Sequence, residues 1–329
     1  MANPLVSVIV PYKSGYPWVR ECVKHCKEMP YRNIEIILLP DGNESPSKYP
    51  GCRVVPTGIV NHSAKRNRGM KAAKGSVYAF IDSDAFPRKD WVTNSLKYLE
   101  DKSIGIIGGP NLTPENDSLM QKAGGDVLGS AIGAGGISER YSVRKEKDTD
   151  ALPSVNMLIR KDVFDRLGHG WDETLVTGED VKISYQVLDA GYRIHYSPDV
   201  IVYHHRRALF LPHMEQIWNY GRDEGLLVQQ RKRIDRPLVL MPPLFVLWLP
   251  IVWALGFYII EAYWALLASV AVYCGVTLAG AVAASWKRFP LVWLGIIATH
   301  LTYGMGFWRG LLLPQKKFHA GFRKKHYNR

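Results

Sequence analysis

The last third of this 329-residue chain limits its possible folds more than any other part. Three apolar stretches, at about 238–260, 262–286 and 289–313, each reach the ~20 residues a helix needs to cross a bilayer core. From residue 237 onward stand nine basic residues and one acidic residue, Glu261. The preceding residues hold 33 basic and 29 acidic side chains. The formal charge of +12 is therefore concentrated beside the apolar stretches, where it fits membrane flanks better than a nucleic-acid interface. A mean hydropathy of −0.11 conceals this split, because the polar first two-thirds dilute it. Glu261, His300 and Arg309 are too few ionisable groups to mark a transport pathway.

The hydrophobic content of 47% excludes a disordered chain. Four scattered cysteines, Cys22, Cys26, Cys52 and Cys274, give neither a disulfide framework nor a zinc site. Met1–Pro4 leads straight into Leu5–Val10 without a basic leader, so no signal peptide is expected. Arg231, Lys232, Arg233 and Arg236, with Lys287 and Arg288, place the polar region on the cytoplasmic side of an integral membrane protein. Three full crossings would put the basic tail (Lys316, Lys317, Arg323, Lys324, Lys325, Arg329) on the opposite side. One stretch is therefore expected to be broken or re-entrant. The candidates are the first, with Pro242, Pro243 and Pro250, and the third, with His300, Gly304, Gly306 and Arg309. Residues 213–236, with Met214, Ile217, Trp218, Leu226 and Leu227 among basic groups, read as a helix lying in the membrane interface or as a plain core helix. The linear division is 1–212, 213–236, 237–313 and a tail at 314–329.

In the first region, apolar β-rich runs (6–10, 34–39, 77–81, 104–107) alternate with amphipathic stretches (18–28, 63–73, 90–99). That alternation predicts an α/β fold with a mostly parallel sheet. Such sheets bind ligands beyond the carboxyl ends of their strands. Pro11-Tyr12-Lys13, Asp41-Gly42 and Asp82-Ser83-Asp84 fall there. Two carboxylates two apart at a strand end can present oxygens to Mg²⁺ or Mn²⁺, or one can cap the next helix. Thr177-Gly178-Glu179-Asp180 opens a predicted helix at 181–190. Its acids either complement the helix dipole or supply a general base. The Gly-rich and then charged segment 110–153 reads as a mobile loop that orders on binding, or as a linker.

Taken in order, these pieces resemble the family 2 glycosyltransferases. Val8-Ile9-Val10-Pro11 is similar to the family's opening strand, and Ala64-Lys65-Arg66-Asn67-Arg68-Gly69 to its ARNxG helix. Ala79–Asp84 and Pro87–Trp91 are similar to its DxD strand and the helix that follows. Gly168–Glu173 precedes Gly178-Glu179-Asp180 as in the family, and Gly191–Ile194, Pro198–Val200 and His204-His205 close the core in family order. The segments 216–222 and 300–306 resemble the membrane-anchored succinoglycan and exopolysaccharide branch. Only Asp41 stands where relatives carry paired acids, and a strict Gln-Arg-Trp motif of processive synthases is missing.

The resemblance implies a GT-A, Rossmann-like catalytic domain followed by transmembrane helices. It implies an inverting transfer from a nucleotide sugar, UDP-linked by preference, to a hydroxyl of a membrane lipid-linked saccharide. Pro11, Tyr12, Asp41, Arg66 and Asp82 would bind the nucleotide sugar. Asp84, Asp82 and His204 would hold a Mg²⁺ or Mn²⁺ ion, His204 being equally readable as a strand-end histidine without a ligand. Asp180 would be the general base, with Glu179 as alternative base or orienting partner. The partners implied are the donor, the acceptor and membrane lipids, with no nucleic acid. A polyprenyl-phosphate sugar transferase and a non-catalytic nucleotide-sugar-binding membrane protein remain as alternatives. The base motif favours a sugar hydroxyl, since a lipid phosphate is already an anion.

Overall fold

The computed structural model describes residues 3–175, 178–231, 234 and 237–312. Val176, Thr177, Lys232, Arg233, Arg236 and the tail 314–329 lie outside the described residues. The strands are β1 (Val6–Pro11), β2 (Ile34–Leu39), β3 (Arg53–Val54), β4 (Val77–Phe80), β5 (Ala85–Pro87), β6 (Ile104–Gly108), β7 (Asn111–Leu112), β8 (Lys147–Asp148), β9 (Met157–Arg160), β10 (Arg193–Tyr196) and β11 (Val202–His204). The helices are α1 (Val19–Glu28), α2 (His62–Ala72), α3 (Trp91–Leu99), α4 (Leu119–Gly129), α5 (Ala131–Ala134), α6 (Lys161–Leu167), α7 (Glu179–Asp189), α8 (Leu211–Arg231), α9 (Met241–Leu255), α10 (Ile260–Ala284) and α11 (Phe289–Leu312). They fall into two compact units: the chain up to Pro114 with Ser142–His205, and Glu115–Tyr141 with the described residues from Arg206 on.

The first unit is the α/β layer structure predicted from the alternation. An eight-stranded sheet runs β3-β2-β1-β4-β9-β6-β10-β8. β1 pairs in parallel with β2 and with β4, and β6 with β10. β9 is antiparallel to both β4 and β6. All six residues of β1 are buried, as expected for a central strand covered on both faces. α1 turns Val19, Cys22, Val23 and Cys26 inward at helical spacing. A second sheet, β5-β11-β7, stands at the ends of these strands. Its β5–β11 pairing sets His204 opposite Ala85, the residue after Asp84.

In the second unit, the part of 110–153 from Leu119 to Ala134 departs from the loop reading. Residues 119–134 are helical and sit on a core of Ala123, Val127, Leu209, Ala281, Val292 and Ile296. α4 starts with a capping box in which the Ser118 hydroxyl accepts from the Gln121 amide and Gln121 Oε1 accepts from the Ser118 amide. Glycine-rich composition mimics a loop here because the helix partner lies far away in the chain. Three helical segments, Pro237–Leu255, Ile260–Ala284 and Phe289–Leu312, are long and apolar enough to cross a membrane. α11 runs unbroken through Gly304 and Gly306. α8 lies along its C-terminal half: a Cβ on Gly310 would stand 1.8 Å from the Arg222 carbonyl oxygen, and one on Gly221 2.2 Å from that of Tyr303. Small residues on both helices are what allow this approach.

Candidate active site

Three consecutive residues of α2 organise the strand ends of the first unit. The helix is started by Asn61, whose side chain accepts the Ala64 amide at 2.9 Å. Successive side chains then point about 100° apart, so Lys65, Arg66 and Asn67 reach three different segments. Lys65, 3% exposed, pairs with Asp41 after β2 and donates to the Tyr12 carbonyl after β1. Burial lowers its ammonium pKa, against the pull of Asp41. Asn67 holds the approach to the second acidic motif, donating to the Trp171 carbonyl at 2.9 Å and to Glu173 at 2.8 Å. Its Oδ1 accepts the Trp171 amide at 2.8 Å.

Arg66 is the centre of the arrangement. Its guanidinium is 1% exposed and donates through Nη1 to Glu179 at 2.7 Å and through Nη2 to Asp82 at 3.1 Å. It also lies over the Trp171 ring, 5.1 Å from the centroid. One buried cation thus joins the carboxylate after β4 to the carboxylate that opens α7. Asp82 and Glu179, 97 positions apart in the sequence, meet on this one guanidinium. The resemblance assigned Arg66 to the base side of the donor. In the structure it contacts Glu179 and Asp82, and the cation beside Asp41 is Lys65. Sequence reading missed Lys65, although it lies inside the quoted ARNxG-like run.

The two acids at the start of α7 differ. Gly178, at φ +76°, turns the chain in a left-handed conformation that suits glycine, and the helix begins at the next residue. Glu179 is buried, and that burial pushes its carboxyl up to about 7, against Arg66 and with the nearby Asp180 charge. Asp180 is less buried, and its Oδ1 accepts the Val181 amide at 2.8 Å.

Asp82, Asp84 and His204 form the one candidate metal-holding group among the described residues, their ligand atoms all within 4.8 Å of one another. His204 Nε2 stands 3.3 Å from Asp84 Oδ1. β11 is held against this turn by the His205 amide, which donates to the Asp84 carbonyl at 2.9 Å. The His205 ring stacks on Trp18, centroids 3.8 Å apart, and meets Glu21 at 2.9 Å. Of the remaining predicted residues, Pro11 ends β1 and Tyr12 follows it, with the Tyr12 hydroxyl donating to Glu44 at 3.0 Å.

Residues 7–168 match the family model described as Glycosyl transferase family 2. That match ends before Gly178-Glu179-Asp180. The chain is 24% identical over 253 residues to the pre-mycofactocin glycosyltransferase of Mycobacterium tuberculosis, an alignment covering 74% of this chain and 52% of that protein. The chain therefore spans about half the length of that relative. It is 20% identical over 248 residues, 68% of this chain and 74% of the relative, to the dolichyl N-acetyl-alpha-D-glucosaminyl phosphate 3-beta-D-2,3-diacetamido-2,3-dideoxy-beta-D-glucuronosyltransferase of Methanococcus voltae. Among solved structures, mannosyltransferase PcManGT from Pyrobaculum calidifontis, in complex with GDP-Man and Mn²⁺, is similar with a TM-score of 0.55 at 19% identity, covering 92% of this chain and 88% of that one. Sheet order and the structural match agree on a GT-A fold, and residues 7–168 are similar to the family 2 glycosyltransferases.

Proposed function

We propose that this chain transfers a sugar from a nucleotide sugar to a hydroxyl of a lipid-linked saccharide, with inversion at the anomeric carbon. The observation that carries the reading is the Arg66 bridge between Asp82 and Glu179. It supports one crevice in which a donor-side acidic cluster and an acceptor-side acidic pair face the same reaction.

On the donor side, Pro11, Tyr12 and Asp41 take the nucleotide. Two carboxylates and an imidazole within 4.8 Å fit a divalent cation that accepts hard oxygens and one nitrogen, Mn²⁺ or Mg²⁺. Asp82, Asp84 and His204 would hold it. Bound there, the ion supplies charge compensation for a leaving diphosphate. The Mn²⁺ and GDP-Man in the Pyrobaculum calidifontis structure favour this assignment. Arg66 keeps Asp82 turned toward the donor.

On the acceptor side, Asp180 takes the proton of the attacking hydroxyl. That oxygen approaches the anomeric carbon from the face opposite the diphosphate, so a single displacement inverts the centre without a protein nucleophile. Glu179, fixed on Arg66, orients Asp180. General-base assistance of this kind is worth ~10²–10⁴-fold, and a sugar hydroxyl needs it where a lipid phosphate does not. The Methanococcus voltae relative, named for a dolichyl-phosphate-linked sugar, favours the same acceptor class. The three apolar segments would keep the domain at the bilayer, with the first unit on the cytoplasmic side.

The test uses the full chain in detergent with a panel of nucleotide sugars, Mn²⁺ or Mg²⁺, and lipid-linked saccharides, following nucleotide release and product configuration. Turnover should vanish in excess EDTA and return with added cation. Full activity in EDTA overturns the metal assignment, a product of retained configuration overturns the single displacement, and transfer to bare polyprenyl phosphate alone overturns the acceptor.

A further inference from the structure

His204 is the last residue of β11, a strand of three residues. Its ladder is short: β5 pairs with Val202, Tyr203 and His204 on one side, and β7 with Val202 and Tyr203 on the other. The Ser142–His205 part of the sheet unit ends one residue later. A strand end with so few partners frays unless something else ties it down.

The tie is His205. Successive side chains of an extended chain point to opposite faces, so the two histidines divide their roles. His204 stands beside Asp84, its Nε2 3.3 Å from Oδ1. His205 turns the other way, to the start of α1. There its ring stacks on Trp18, with centroids 3.8 Å and planes 25° apart. Its Nε2 meets Glu21 Oε2 at 2.9 Å. A carboxylate only accepts, so Nε2 carries the proton. The stack fixes the plane of the ring, and the hydrogen bond fixes its rotation within that plane. The His205 side chain is 3% exposed, and its amide donates to the Asp84 carbonyl at 2.9 Å.

We propose that Trp18 and Glu21 are positioning residues for the donor-side cation: by clamping His205 they hold His204 where it can share one ion with Asp82 and Asp84. The inference rests on the metal assignment above and adds a support that lies outside both acidic motifs. Glu21 is not in the group able to hold the ion, so it acts through His205. A ligand already held in place needs no ordering when the ion arrives, which is where preorganisation gains affinity. Outer partners of this kind typically change metal affinity ~10–100-fold.

The experiment is Mn²⁺ binding, without nucleotide, to the full-length protein in detergent. Electron paramagnetic resonance reads the affinity from the free-ion signal, and the coordination from the nitrogen coupling of a bound imidazole. The chains compared are unsubstituted, His204→Ala, Trp18→Ala, Trp18→Phe, Glu21→Ala and Glu21→Gln, with thermal melting as a fold control. The unsubstituted protein should show nitrogen coupling that His204→Ala removes. Trp18→Ala and Glu21→Ala should each weaken binding ~10–100-fold and reduce that coupling. Trp18→Phe keeps a stacking ring and Glu21→Gln keeps an acceptor, so both should recover most of the loss. Should Trp18→Ala not fold, Glu21, whose side chain is 29% exposed, carries the test. A folded Trp18→Ala or Glu21→Ala that keeps its affinity within about threefold, well under the expected loss, is no positioning residue. Weakened binding with undiminished nitrogen coupling overturns the route through His204. If the unsubstituted protein binds Mn²⁺ without nitrogen coupling, His204 is no ligand and the inference falls while the acidic pair stands. If it binds no Mn²⁺ at all, the metal assignment fails and this inference fails with it.

Discussion

The sheet unit and the helical unit put opposite kinds of residue where the neighbouring chain is densest. In the first, apolar strands fill the interior and the charged groups that matter are also inside, paired at the strand ends: Lys65 with Asp41, Arg66 with Asp82 and Glu179. In the second, large apolar side chains face outward: Phe257 is 70%, Tyr258 89% and Trp264 62% exposed. Glycines and small residues sit where its helices meet. Monomeric proteins in water rarely expose a continuous apolar surface of this kind, whereas in lipid small residues at helix contacts are the rule. One unit is thus specified by charge geometry, the other by the shape of its helix contacts. A substitution should be felt through the logic of the unit it lands in.

The largest effect expected is on chemistry alone. Asp180→Asn should cut turnover ~10²–10⁴-fold while nucleotide binding and the melting of the helical unit stay unchanged. Turnover within threefold of the unsubstituted rate removes Asp180 as base. Arg66→Met should act on both chemistry and stability. Removing one partner of a buried charge network costs about 3–5 kcal/mol, read as a lower denaturation midpoint of the sheet unit. An unaltered midpoint would mean that the bridge between the acidic motifs carries little weight. Gly310→Leu probes the other unit. Its Cβ would meet a carbonyl oxygen, and overpacking of this kind costs about 1–3 kcal/mol, measurable as faster unfolding in detergent with nucleotide affinity intact. Preserved stability would break the claim that the helical unit is specified by close approach.

A smaller effect tests the buried acid. Burial holds Glu179 up at about 7 against an ordinary 4.5, so between those values the folded chain binds more protons at this site than the unfolded one. Stability from this group therefore falls as pH rises from about 4.5 to about 7 and is level above that. The Tm of the unsubstituted protein, compared with Glu179→Gln, should drop across that window. A Tm difference that is flat with pH sinks the assignment. The smallest effect belongs to Trp264→Ala, which should leave detergent stability within about 0.5 kcal/mol. A larger loss would show that this ring packs against protein rather than lipid.

Much of the fold was legible in the sequence, because period and punctuation report burial locally. The strand at 34–39 and the helix at 62–72 follow their apolar patterns and caps almost residue for residue. The Asp82-Ser83-Asp84 turn announced itself by its place after a buried strand, but its closeness to His204 depends on a β5–β11 pairing across more than a hundred residues. What stayed hidden was phase. Whether Lys65 or Arg66 faces Asp41 is decided by a rotation of about 100°, which the run Ala64–Gly69 does not encode by itself. Residues 119–134 misled for another reason. In a water-facing segment four glycines signal a turn, whereas here Gly133 lies against Ile296 of α11, a partner elsewhere in the chain.

The seam between α8 and α11 also brings two distant stretches of chain level with each other. The two helices run in the same direction, with a Gly221 Cβ meeting Tyr303, a Gly225 Cβ meeting Phe307, and Gln229 donating to the Leu311 carbonyl at 3.0 Å. The polypeptide that leaves α8 near Gln229 therefore comes back, after about eighty residues and three apolar helices, to the height from which it departed. Tallying hydrophobic stretches would deliver residue 312 to the far face of a bilayer. The seam closes the path into a circuit whose net displacement is nil.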